Sequence, residues 1–161
     1  MKLAIFPLGN HGDKYERTRH NAGRIVMQTI SAKYDMPNID IIVPDTFMNE
    51  SGAFISRYMR YHESVMPVIV YDDKDLIYGD VRLSYGNSSG GHNGVQSVIE
   101  HIGPDFYRIR IGIGQPDIMP IHGAGVVQSY VMSNITDTEM HILQSKTLTE
   151  TVKNMISQID R

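Results

Sequence analysis

Short β-branched runs and segments of helical period take turns along this chain, and that alternation confines it to a layered α/β fold. Lys2 to Pro7 reads as a buried strand, and Ala22 to Tyr34 carries Ile25, Val26, Thr29, Ile30 and Lys33-Tyr34 at helical spacing. Ile39 to Val43 is a β-branched strand stopped by Pro44-Asp45. Ser51 to Tyr61 returns to the helical period, Pro67 to Tyr71 is a buried strand ending in acids, and Asp80 to Tyr85 alternates as a strand does. Gly94 to Ile102 predicts a short helix with Asn93 as its N-cap. Phe106 to Ile113 predicts a strand, and Gly125 to Met132 leans the same way. Thr136-Asp137-Thr138-Glu139 has capping-box form and opens a C-terminal helix to about Ile159. The expectation is a single-domain three-layer sandwich over residues 1–161, a mixed, twisted β-sheet flanked by helices.

A chain of 161 residues, 41% hydrophobic, can bury a substantial single core. Its longest apolar runs, such as Pro67-Val68-Ile69-Val70, are too short to span a bilayer, so no membrane association is expected. Met1 to Gly9 reads as a first strand rather than a signal peptide. The absence of Cys excludes disulfides, thiolate metal sites and a Cys nucleophile, and fits a cytoplasmic protein. A net charge of −3 argues against gripping nucleic acid over a wide surface. A local basic patch is still open to Arg17, Arg19, Arg24, Arg82, Arg108 and Arg110.

The candidate chemistry sits in polar islands at the predicted strand exits, where α/β sheets build their sites. They are Leu8-Gly9-Asn10-His11-Gly12, Thr18-Arg19-His20-Asn21-Ala22-Gly23, Thr46-Phe47-Met48-Asn49 and Gly90-Gly91-His92-Asn93-Gly94, with Val70-Tyr71-Asp72-Asp73 between the last two. His20 is suited to move protons near neutral pH, and Asp72 is placed to fix its tautomer and raise its basicity. The amides of Asn10, Asn49 and Asn93 can hold a carbonyl, a water and a developing oxyanion. Without Cys, the economical chemistry is a water activated by His20 that attacks an ester carbonyl.

Taken together, from Met1 to about Met132, these collinear islands resemble the bacterial-type peptidyl-tRNA hydrolase family. The resemblance implies an esterase that cleaves the bond between a peptide and the 3′ ribose of tRNA, with no metal or cofactor. It assigns His20 as base, Asp72 as its paired acid, and Asn10 and Asn93 as active-site amides. Asn49 becomes a peptide-binding amide, Met48 an apolar wall for the peptide, and Tyr15 a neighbour of the tRNA 3′ end. His92 joins the substrate-binding set, as do Arg82 and Arg110 for phosphates of the acceptor stem and 3′ end. A monomer is implied. The chain departs from the family pattern at Pro7 and His11, at Ser84 and Gln96 where basic residues are usual, and in the Lys-free stretch from Gln115 to Gly125. It is also shorter between Tyr34 and Ile39. All the lost lysines thin the surface that would hold phosphates. A catalytically weak RNA- or peptide-binding relative is therefore the alternative from a different class.

Two other motifs compete. Gly86-Asn87-Ser88-Ser89-Gly90 matches the nucleophile elbow of serine esterases, although its helix should begin at Ser88 rather than after a further Gly-Gly-His-Asn-Gly turn. Gly112-Ile113-Gly114 begins like a dinucleotide fingerprint but lacks the third Gly and runs into Pro116. The seven His show no metal-ligand spacing of the His-Glu-x-x-His kind.

Overall fold

The computed structural model describes residues Met1–Arg161 and holds one five-stranded sheet of order β2-β1-β3-β5-β4. The strands are β1 (Lys2–Pro7), β2 (Ile39–Ile41), β3 (Val65–Ile77), β4 (Val81–Tyr85) and β5 (Tyr107–Gly114). The first four neighbours run parallel, and β4 closes the edge antiparallel to β5. Period-two alternation deals the strand residues into two cores. Leu3, Ile5, Val68, Val70, Ile109 and Ile111 face α1 (Ala22–Lys33) and α6 (Lys146–Ile159). Ala4, Phe6, Ile69 and Tyr71 face α2 (Ser51–Tyr61) and α3 (Asn93–Ile102). Each buried Ile or Phe contributes roughly 1.5–3 kcal/mol relative to exposure, so these two clusters hold the three layers together.

Three local expectations change. Ala124–Val131 is helix α4, not a strand. Val126 and Val127 carry β propensity, but Val127 and Val131, four apart, pack toward the protein on one helical face while Val126 stays exposed. The C-terminal helix is two helices, α5 (Asp137–Leu143) and α6. Thr136 and Glu139 form the expected capping box on α5, and Ser145 then caps α6, its Oγ accepting from the Leu148 N–H at 3.3 Å. Finally, β2 ends at Ile41, two residues early.

Strand lengths create the site. β1 stops at Pro7, opposite Val70, whereas β3 continues beside β5 with Asp72 opposite Ile111. Past Pro7 the β1 side of β3 is therefore open to loops. Asp72 was expected at a strand end; it lies inside a strand that runs to Ile77 through an irregularity after Asp73. Gly112 permits that path, since a Cβ there would overlap the Ile77 carbonyl.

Candidate active site

The six residues from Thr18 to Gly23 form a mount for one imidazole. Thr18 Oγ1 donates to the Tyr15 carbonyl at 2.8 Å and starts the 3-10 turn Arg19–Asn21. Arg19 is buried; its Nη2 reaches both oxygens of Glu139, at 2.8 and 3.1 Å, and its Nη1 donates to the Asn134 carbonyl at 3.1 Å. Asn21 ties the turn to the β1 exit: its Nδ2 donates to the Asn10 carbonyl at 3.0 Å, and its Oδ1 accepts the Asn10 N–H at 2.8 Å. Gly23 lets α1 lie directly on β3, because a Cβ would sit 2.5 Å from the Val70 carbonyl oxygen. His20, between these anchors, is held against Asp72.

His20 Nδ1 lies 2.9 and 2.8 Å from the two oxygens of Asp72, and His92 Nε2 lies 2.8 Å from Oδ1. The tautomers follow from the partners. The Val95 N–H donates to His92 Nδ1 at 3.2 Å, so that nitrogen carries no proton and Nε2–H donates to Asp72. An ionised carboxylate only accepts, so His20 Nδ1 also carries a hydrogen. Neutral His20 then keeps its lone pair on Nε2, the one ring nitrogen of the pair without a partner. Burial opposes the charged forms here. For Asp72 the two imidazoles outweigh burial and hold the carboxyl well below the usual range. For His20 burial is likewise outweighed by the charge and hydrogen bond of Asp72, which raise its pKa above the 6.5 of a free imidazole.

These three side chains offer ligand atoms within 4.8 Å of one another, close enough to suggest a metal. Their chemistry does not fit one. Both Asp72 oxygens accept N–H groups, and the His92 nitrogen that faces them is protonated.

His20 and Asp72 line a cavity of about 360 Å³ that extends past Lys74 to Ser84, Ser88 and Arg110. Asn93 lies on its exposed rim with no intramolecular partner for its amide. It is not the N-cap of α3, because His92 occupies that position. His92 was expected to touch substrate; both its ring nitrogens are committed, one to Asp72 and one to the helix. Asn10 lines a separate cleft; its Oδ1 accepts the Met48 N–H at 2.8 Å and its Nδ2 donates to Met132 Sδ at 3.7 Å, which leaves one amide hydrogen for a ligand. Met48 is 4% exposed beneath Gly94, too buried to form a broad peptide wall. Asn49 is exposed on the 3-10 turn Met48–Glu50. Tyr15 meets the exposed Phe47 edge-on, with ring centroids 6.1 Å apart. Ser88 is exposed, five residues before α3, and no imidazole contacts it, so the elbow geometry is absent.

The arginines are mostly spent. Arg19 and Arg108 are buried, and Arg24 Nη2 donates to the Gly9 and Pro44 carbonyls at 3.1 and 2.5 Å. Arg17 pairs with Asp137 at 3.0 Å, and Arg110, on the cavity, pairs with Asp73 at 3.1 Å. Arg82 lies directly opposite Arg110 across the β4–β5 ladder and is mostly exposed, with Asp80 at 3.9 Å. The second imidazole on Asp72 and the Arg19–Glu139 tie are what sequence reasoning missed. The only prior signal for either was a His inside the Gly-rich island and a Glu inside a capping box.

A sequence profile of the peptidyl-tRNA hydrolase family matches residues 4–160. A relative from Sulfurimonas denitrificans named peptidyl-tRNA hydrolase is 38% identical, over 91% of this chain and 85% of its own length. One from Fervidobacterium nodosum with the same name is 40% identical, over 88% and 81%. Among solved structures, peptidyl-tRNA hydrolase from Acinetobacter baumannii superimposes with a TM-score of 0.80 at 28% identity, covering 99% of this chain and 91% of that one.

Proposed function

The chain belongs to the peptidyl-tRNA hydrolase family, and from that premise we propose how its residues cleave the ester of peptidyl-tRNA. A water gives a proton to His20 Nε2 as its oxygen attacks the carbonyl carbon that joins the peptide to the 3′ ribose. The tetrahedral oxyanion collapses, the bond to the ribose oxygen breaks, and His20 returns the proton to that oxygen. Free tRNA leaves with the peptide acid, whose new carboxyl loses its remaining proton to solvent and departs as carboxylate. Asp72 stays ionised, holds the tautomer and stabilises the imidazolium. The unpartnered amide of Asn93 and the Asn10 amide hydrogen not spent on Met132 are the donors assigned to the substrate carbonyl and the oxyanion. No metal or cofactor is needed for this sequence of steps. The observation that carries the reading is the paired contact of His20 Nδ1 with Asp72, which leaves Nε2 as a free, strengthened base.

Substrate contacts are assigned to the rim. Tyr15 and Asn49 flank the junction of peptide and 3′ end, and Arg82 and Arg110 meet phosphates of the acceptor stem. Residues 1–161 act as one domain, a monomer in the cytoplasm. No helix is long and apolar enough to cross a membrane. The test is incubation with an N-blocked peptidyl-tRNA and, as control, an aminoacyl-tRNA with a free amino group. Release of tRNA from the first and not the second is expected. Equal cleavage of both would overturn the assignment of the peptide as part of what is recognised.

A further inference from the structure

Arg108 stands on β5, is 1% exposed, and has no carboxylate partner. A guanidinium cannot shed its charge, so a buried one needs strong acceptors. It finds them in one place. Nη1 donates to the Ser88 carbonyl at 2.6 Å and Nη2 to the Asn87 carbonyl, while the plane lies over the Phe106 ring, 4.6 Å from its centroid. Its Nε has no partner. Besides Arg108, the segment is tied to the strand by the Gly86 N–H on the Phe106 carbonyl at 3.2 Å, and its other bonds, from the Gly91 and His92 N–H groups to Ser89, are local. Gly86, Asn87, Gly90 and Gly91 all have positive φ, and a Cβ on any of the three glycines would meet no atom within 4 Å. That loop leads directly into His92, whose Nε2–H reaches Asp72 and whose ring meets Tyr71 edge-on, with ring centroids 5.0 Å apart.

We propose that Arg108 is a positioning residue: its two bonds to the Asn87 and Ser88 carbonyls hold the Gly86–Gly91 loop so that His92 keeps its hydrogen bond to Asp72 and Asn93 stays on the cavity rim. Arg108 lines the inner wall of the cavity, but both its terminal nitrogens are spent on the loop, so it acts through the loop. The inference rests on the His20–Asp72–His92 reading of the site.

The test compares Arg108→Met, which keeps bulk and loses every donor, with Arg108→Lys, which keeps charge and can reach one carbonyl. Three quantities are read: kcat and KM with peptidyl-tRNA, the Tm, and the imidazole N–H signal of His92 by ¹⁵N-labelled NMR. In Arg108→Met the His92 Nε2–H signal should exchange away and kcat should fall ~10- to 100-fold, the loss expected when reacting groups shift by about an ångström. Arg108→Lys should recover part of both, and it guards against a Met variant that fails to fold. A retained His92 signal with unchanged kcat in a folded variant, whatever the Tm, would overturn the proposal. His20→Ala is run alongside: if that variant is fully active, the reading of the site has failed rather than the role of Arg108.

Discussion

Asp72 accepts from two imidazoles, yet only His20 has a ring nitrogen left to work with. This makes a signed prediction about pH. Activity requires neutral His20, whose pKa lies above 6.5 because the Asp72 carboxylate outweighs burial. The kcat/KM should therefore be lost as pH falls through a value above 6.5. Asp72→Asn removes the charge and leaves the burial, so the limb should move down while the rate drops. A pH–rate profile of both proteins checks it, and a limb that does not move would remove Asp72 from the role. Ser88→Ala should be nearly silent, and fluorophosphonate should not label the protein; a stoichiometric adduct on Ser88 that tracks inactivation would replace the water mechanism. At this scale His20 and Asp72 were legible, because a titratable residue beside a turn signal is a local pattern. His92 was not, because its tautomer is set by a helix cap whose position depends on where α3 begins.

Among elements, the turn Arg19–Asn21 depends on a residue 120 positions away. The Arg19–Glu139 pair is nearly sealed from solvent, with side chains 9% and 8% exposed. Arg19→Met should leave Glu139 buried without its cation and cost about 3–5 kcal/mol, measurable by urea denaturation. A loss under about 1 kcal/mol would show the pair to be dispensable for holding the turn. Gly23→Ala should push α1 off the Val70 carbonyl, with an overpacking cost of ~1–3 kcal/mol and lower activity, because the same shift moves His20 away from Asp72. The capping box on α5 was readable in four letters, but the use of its Glu as a counter-ion for Arg19 was not. α4 was misread for a related reason: two adjacent valines signal a strand, and only the packing of Val127 and Val131 selects the helix.

Across the whole molecule, the layer order and the two cores were legible in the alternation of periods, since a sheet covered on both faces leaves few other arrangements. Charge was legible only as a sum. The sequence counts six arginines near the islands; the fold turns two inward and gives three others carboxylate or carbonyl partners. Few cations remain for phosphates, so affinity for tRNA should fall gently with salt, the slope scaling with phosphates neutralised. Arg82→Glu or Arg110→Glu should raise KM for full-length substrate far more than for a minimal ester lacking the tRNA body. A steep slope that neither substitution changes would place the phosphates elsewhere. The central claim, that His20 is the base, is tested most directly by His20→Ala. Single-turnover cleavage of peptidyl-tRNA should drop ~10²- to 10⁴-fold while the Kd for uncleaved substrate and the Tm stay near wild type. A variant that keeps more than about a third of the wild-type rate would contradict it.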